Sequence, residues 1–227
     1  AAHVIEEFRG EPFGIGVDDT TISTDAPMRY SLPRTGRTRA EDEIDIGAIR
    51  LPDGGPDFSG RVFLSLDRVQ YPVRLGPSLA HMIFGYTFNR TKVDLPNRHV
   101  SSDAIHIHAP HQSALLLGVP GYDDSYHVLL EADRRSMLNS DDKIVTLPKL
   151  VGLSGAGVWS YDPSDNEQRA STARLVAIFT EHRQAKYCIG TRLAAHLELV
   201  RNSWPDLDEF LPQSRMPSLM APTSDGI

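Results

Sequence analysis

Short apolar runs, separated by clusters of turn-forming residues, constrain this chain more than any other feature. The runs are Ile44 to Leu51, Val62 to Leu66, His81 to Phe88, Ala104 to Ala109, Ser113 to Val119, Tyr126 to Ala132 and Arg174 to Thr180. Several stop at clusters such as Pro52-Asp53-Gly54-Gly55-Pro56, Pro120-Gly121-Tyr122-Asp123-Asp124 and Tyr161-Asp162-Pro163-Ser164-Asp165. Such residues favour turn dihedrals and bond to their own backbone, so they end strands. Runs of this length and spacing read as an all-β barrel or sandwich. One helix is expected near the end, where Leu193, His196, Leu197 and Val200 recur at three- and four-residue steps after Thr191. The segment from Thr20 to Glu43 is polar, with little periodicity, and reads as loop or edge structure. Residues 204–227 have little to bury and read as a disordered tail.

Composition removes several function classes. The chain has 227 residues, enough for one large domain or two small ones. No run of about 18 apolar residues suggests a membrane span. Thirty acidic against 23 basic residues give a net charge of −7, the wrong sign for a partner held by nucleic-acid phosphates. Cys188 is the only cysteine, so the fold rests on packing, as in cytoplasmic or bacterial proteins rather than disulfide-rich secreted ones. Its apolar neighbours make it a small buried hydrophobe rather than a nucleophile. The opening Ala1-Ala2-His3-Val4 carries no basic-then-apolar leader pattern.

Three segments bear on chemistry. In Gly152-Leu153-Ser154-Gly155-Ala156-Gly157 the glycines permit a tight turn that presents Ser154 and aims the N–H groups of Gly152 and Ser154 at one point. A serine hydroxyl needs an imidazole to take its proton and a carboxylate to fix that imidazole. A Gly-x-Ser-Gly turn is also a common connection between strands, so context has to decide. Val158-Trp159 follows as a strand, then a turn, then Arg174-Leu175-Val176-Ala177-Ile178-Phe179-Thr180. This passage resembles the chymotrypsin/trypsin-like serine peptidases, in which the serine turn leads into a strand, a hairpin and a Leu-Val-Gly-Ile type strand. His81-Met82-Ile83-Phe84-Gly85-Tyr86 is similar to the strand that opens the family's second barrel.

That resemblance implies the remaining parts. Ala1-Ala2-His3-Val4 looks like the family's Thr-Ala-Ala-His motif without its first residue, which makes His3 the general base. Ile44-Asp45-Ile46-Gly47-Ala48-Ile49-Arg50-Leu51 is similar to the strand carrying the orienting aspartate, which makes Asp45 that residue. The order His3, Asp45, Ser154 is the order of this fold. The implied architecture is all-β: two six-stranded antiparallel barrels, the first incomplete at its amino-terminal end, with a carboxy-terminal helix. Residues 1–65 would carry His and Asp, and residues 66–203 would carry Ser and the helix. The implied activity is peptide-bond hydrolysis through an acyl-enzyme, with no metal or cofactor and a peptide or protein as substrate. Thr180-Glu181-His182 would pair with an extended substrate, and Glu181 and His182 would bias the pocket toward basic or polar side chains.

Departures from the family pattern are specific. Leu153 stands where vertebrate digestive enzymes have an aspartate, so that activation switch is not expected. Ala156 and Gly157 replace a glycine and a proline, and Ala177 replaces a glycine. These changes, with the incomplete first barrel and its unpaired edges, leave open a non-catalytic peptide-binding module on the same fold. A separate rival is His106-Ile107-His108-Ala109-Pro110-His111, whose first two histidines share a strand face as zinc ligands sometimes do. Surface histidines on an edge strand explain it without metal, and that reading is preferred.

Overall fold

The computed structural model describes residues 13–17, 20–24, 28–31, 44–51, 63–69, 79–94, 96, 99–112, 122–135, 137–138, 143–164 and 172–212. Among them the protein is mostly β, with one large antiparallel sheet and one helix near the carboxy terminus. The strands are β1 (Phe13–Val17), β2 (Thr20–Thr24), β3 (Met28–Tyr30), β4 (Gly47–Ile49), β5 (Ala80–Asp94), β6 (His99–Ala109) and β7 (His111–Gln112). They continue as β8 (His127–Glu131), β9 (Met137–Leu138), β10 (Ile144–Val145), β11 (Gly157–Tyr161), β12 (Arg174–Arg183) and β13 (Tyr187–Arg192), followed by helix α1 (Leu193–Ser203). No helix among the described residues is long and apolar enough to cross a membrane.

The chain divides into two compact units, residues 1–66 with 195–227, and residues 67–194. The second holds the seven-stranded sheet, in the order β6-β5-β11-β12-β13-β8-β7, with antiparallel pairing throughout. Its two end strands, β6 and β7, are one stretch of chain interrupted by Pro110. Proline has no N–H to give to a ladder, but the Pro110 carbonyl accepts the Glu131 N–H at 3.0 Å.

Period-two alternation decides which face of this sheet is buried. Along β5, His81, Ile83, Gly85 and Thr87 point inward while Phe84, Tyr86 and Phe88 are exposed. Along β6, Ile105, Ile107 and Ala109 point inward while His106 and His108 point out. The inward set meets Val128, Leu130, Leu150, Leu153, Val158, Val176, Phe179 and Cys188 in a continuous core. Leu153, the residue before the candidate serine, is 1% exposed and anchors its loop there.

The first unit pairs β1 with β2 and β3 with β4. The apolar run from Ile44 yields only the short β4, extended by Ser31 N–H to Ile46 O at 2.9 Å. Two expectations need correction. The described part of the Val62 to Leu66 run is not a strand, and it leads into a 3-10 turn at Leu66–Arg68. Phe63 and Leu64 are exposed and no described strand pairs with them; the chain instead makes one parallel bridge at Val69–Leu175. Nor does order end at residue 203. Trp204 is buried, Pro205–Phe210 forms a 3-10 helix begun by its proline, and Asp206 meets Arg50 at 2.7 Å while Asp208 meets Arg201 at 2.5 Å. The expected strand at Ser113 to Val119 lies outside the described residues, as does the chain after Pro212.

Candidate active site

The serine loop is set by two leucines and two glycines. Leu150 and Leu153 are buried, which pins the loop to the core on either side of Gly152. Gly152 has φ +86° and Gly155 φ +96°, a region that L side chains enter only with strain. At Gly152 a Cβ would also stand 2.8 Å from the Phe88 backbone nitrogen, so the close approach of β5 demands glycine a second time.

Backbone hydrogen bonds then separate the loop's N–H groups into two sets. Leu153 N–H donates to Leu150 O (3.0 Å), Gly155 N–H to Phe179 O (2.8 Å) and Ala156 N–H to Leu153 O (2.9 Å). The N–H groups of Gly152 and Ser154, and the Ser154 hydroxyl, have no partner among the described residues. Ser154 is exposed. Two unbonded donors beside an exposed hydroxyl are the groups an oxyanion site uses.

Beside Ser154 opens a cleft of about 400 Å³. One wall is Lys149 to Gly152, another is Phe179, Thr180, Glu181 and His182, and Arg134 and Ala185 complete the lining. β11 stops pairing with β12 at Gly157–Ile178, so from Thr180 onward β12 is bonded only to β13 among the described strands. The register of that pair shifts between Phe179 and Glu181, and the Thr180 hydroxyl donates to Ile189 O at 3.1 Å. His182 Nε2 lies 3.2 Å from Ala132 O, an acceptor, so the ring carries its hydrogen on that nitrogen. Glu181 is held by Arg183 at 2.6 Å.

Of the residues singled out from sequence, Gly152, Ser154, Thr180, Glu181 and His182 line this one cleft. His3 lies outside the described residues. Asp45 belongs to the other unit, half-buried between the buried Ile44 and Ile46, at φ +38°, a region aspartate tolerates better than most residues. Arg134, Lys149 and Ala185 also line the cleft and were not anticipated. Arg134 arrives through the β8–β13 pairing, because its N–H donates to Ala185 O at 2.9 Å, and a contact spanning 51 positions (134 to 185) leaves no local mark on sequence. Lys149 was within reach, five positions before Ser154.

The histidine motif separates. His106 and His108 stand on the outer face with ring centroids 5.5 Å apart, and His108 Nδ1 meets the Tyr161 hydroxyl at 2.8 Å. His111 instead lies against His81, centroids 5.8 Å apart. No group of three metal-ligating side chains occurs among the described residues. Cys188 is 1% exposed, and burial pushes its thiol up to about 12, which keeps it protonated and unreactive.

No protein-family model matches the chain, and no curated protein matches it.

Proposed function

We propose that the protein is a serine peptidase of the trypsin-like class, hydrolysing peptide bonds through an acyl-enzyme on Ser154. The observation that carries this reading is the exposed Ser154 hydroxyl at the rim of a cleft, flanked by the unpartnered N–H groups of Gly152 and Ser154. The open edge of β12 from Thr180 supports it, since an extended peptide can add there as a further strand. The sheet order supports the fold assignment: β6 and β7 are consecutive in the chain yet stand at opposite ends of the order, as expected for a strand that turns a corner to complete a barrel.

In the proposed reaction His3 takes the proton from Ser154 Oγ as it attacks the scissile carbonyl, and Asp45 orients the imidazole. The Gly152 and Ser154 N–H groups hold the developing oxyanion, the amine leaves with the proton from the imidazole, and water then cleaves the acyl-enzyme. The chemistry needs no metal or cofactor.

A fluorophosphonate probe tests the reading directly. It should label the wild-type protein at Ser154, and Ser154→Ala should abolish labelling and lower turnover about a millionfold. Equal hydrolysis by the variant would end the proposal. Peptide binding without labelling would favour the non-catalytic module, for which the β12 edge alone suffices.

A further inference from the structure

The charges around the cleft do not balance. Among the described residues its lining holds one carboxylate, Glu181, and that group is already held by Arg183 at 2.6 Å. Against it stand Arg134 and Lys149. Arg134 is fixed in place because its Nε donates to Leu147 O at 2.8 Å and its backbone N–H donates to Ala185 O at 2.9 Å. Neither bond touches the two terminal guanidinium nitrogens, which have no partner among the described residues. The Lys149 ammonium likewise has no acidic partner among the described residues. His182 adds a polarised ring whose Nε2–H is engaged by Ala132 O.

Two uncompensated cations, one of them anchored, around a small concave site raise the local concentration of anions and favour a carboxylate that can take charge-assisted hydrogen bonds. We infer that the cleft beside Ser154 selects an acidic side chain, glutamate or aspartate, with Arg134 and Lys149 as the residues that determine the preference. This rests on the peptidase reading for its place in a reaction, and it departs from the bias toward basic or polar side chains expected from Glu181 and His182. Arg183 neutralises Glu181, the acid on which that bias rested. Arginine also offers the planar fork that suits a carboxylate, whereas the exposed Lys149 acts as a point charge at the mouth.

The test uses fluorescein-labelled tetrapeptide amides that differ only in their last residue (glutamate, glutamine, lysine or phenylalanine), and the matching aminocoumarin substrates. Binding by anisotropy and kcat/KM by fluorescence should each favour glutamate over glutamine by about tenfold at low salt, a preference that shrinks in 1 M salt as screening sets in. Arg134→Glu should reverse the order so that lysine leads. Lys149→Glu, at an exposed position that leaves packing untouched, should weaken the preference for glutamate even if the first variant fails to fold. Equal binding of all four peptides, or a lead for lysine or phenylalanine in the wild type, overturns the inference. Labelling by fluorophosphonate is scored separately. A labelled protein with the wrong preference loses the acidic selectivity and keeps the peptidase reading, and an unlabelled protein that prefers glutamate in binding does the opposite.

Discussion

His81 shows how a single inward position on a strand can carry a pH response. It is 1% exposed on the core face of β5, and neither ring nitrogen has a hydrogen-bond partner. Burial, and then the neighbouring His111, lower its pKa to about 4. Burial lowers His111 as well, with Arg192 adding to the effect and Asp124 opposing it. A base with a depressed folded-state pKa binds fewer protons folded than unfolded. Stability is therefore full above the unfolded value of 6.5 and is lost as pH falls toward 4. Between pH 7 and pH 5 the His81 contribution to this loss should be about 2 kcal/mol. Urea melts at the two pH values check it. The His81→Leu variant should lose the larger part of the slope, and an unchanged slope would mean that the ring finds a partner or a proton in the folded state. The sequence showed His81 at the start of an apolar run, but its burial and the company of His111 came only with the fold.

At the scale of elements, the β12–β13 hairpin combines a cleft wall with a strained turn. Gln184 and Ala185 connect the strands with φ of +55° and +53°, and Lys186 N–H donates to Arg183 O at 3.1 Å. Positive φ at both central positions suits the twist of a hairpin but is normally supplied by Asn-Gly or Asp-Gly. Ala185→Gly should remove the αL penalty and raise stability by about 1 kcal/mol, after allowing for the greater entropy of unfolded glycine. Thermal or urea unfolding reads this, and a destabilised variant would show that the alanine methyl packs productively against the cleft. Strand β8 lies within a run visible in the sequence, and β5, β6, β12 and helix α1 overlap such runs while extending beyond them. The Pro205–Phe210 turn and the lost strand at Phe63–Leu66 were not visible. The first depends on a partner distant in sequence, Arg50, and the second shows that an apolar run alone does not make a strand.

At the scale of the molecule, Asp45 falls in the first compact unit and Ser154 in the second. Asp45→Asn keeps the size of the side chain and removes its charge. The proposed triad then predicts a loss of about ten-thousandfold in kcat, with far-UV circular dichroism unchanged. A rate within a few-fold of wild type would remove Asp45 from the reaction. The chain divides after Leu66, and residues 195–227, including most of α1, group with the first unit. Short apolar runs and glycine placement are local properties, so the sequence by itself determined that the chain is mostly β, that His106 and His108 share a strand face, and that a glycine-bounded turn presents Ser154. Strand order, the lack of a second described strand beside β12 from Thr180 onward and the convergence of Arg134 and Lys149 on one cleft were decided only by the tertiary structure. Each depends on which distant segments become neighbours, and the cooperative burial of the whole core selects those neighbours where no short stretch of residues can encode them.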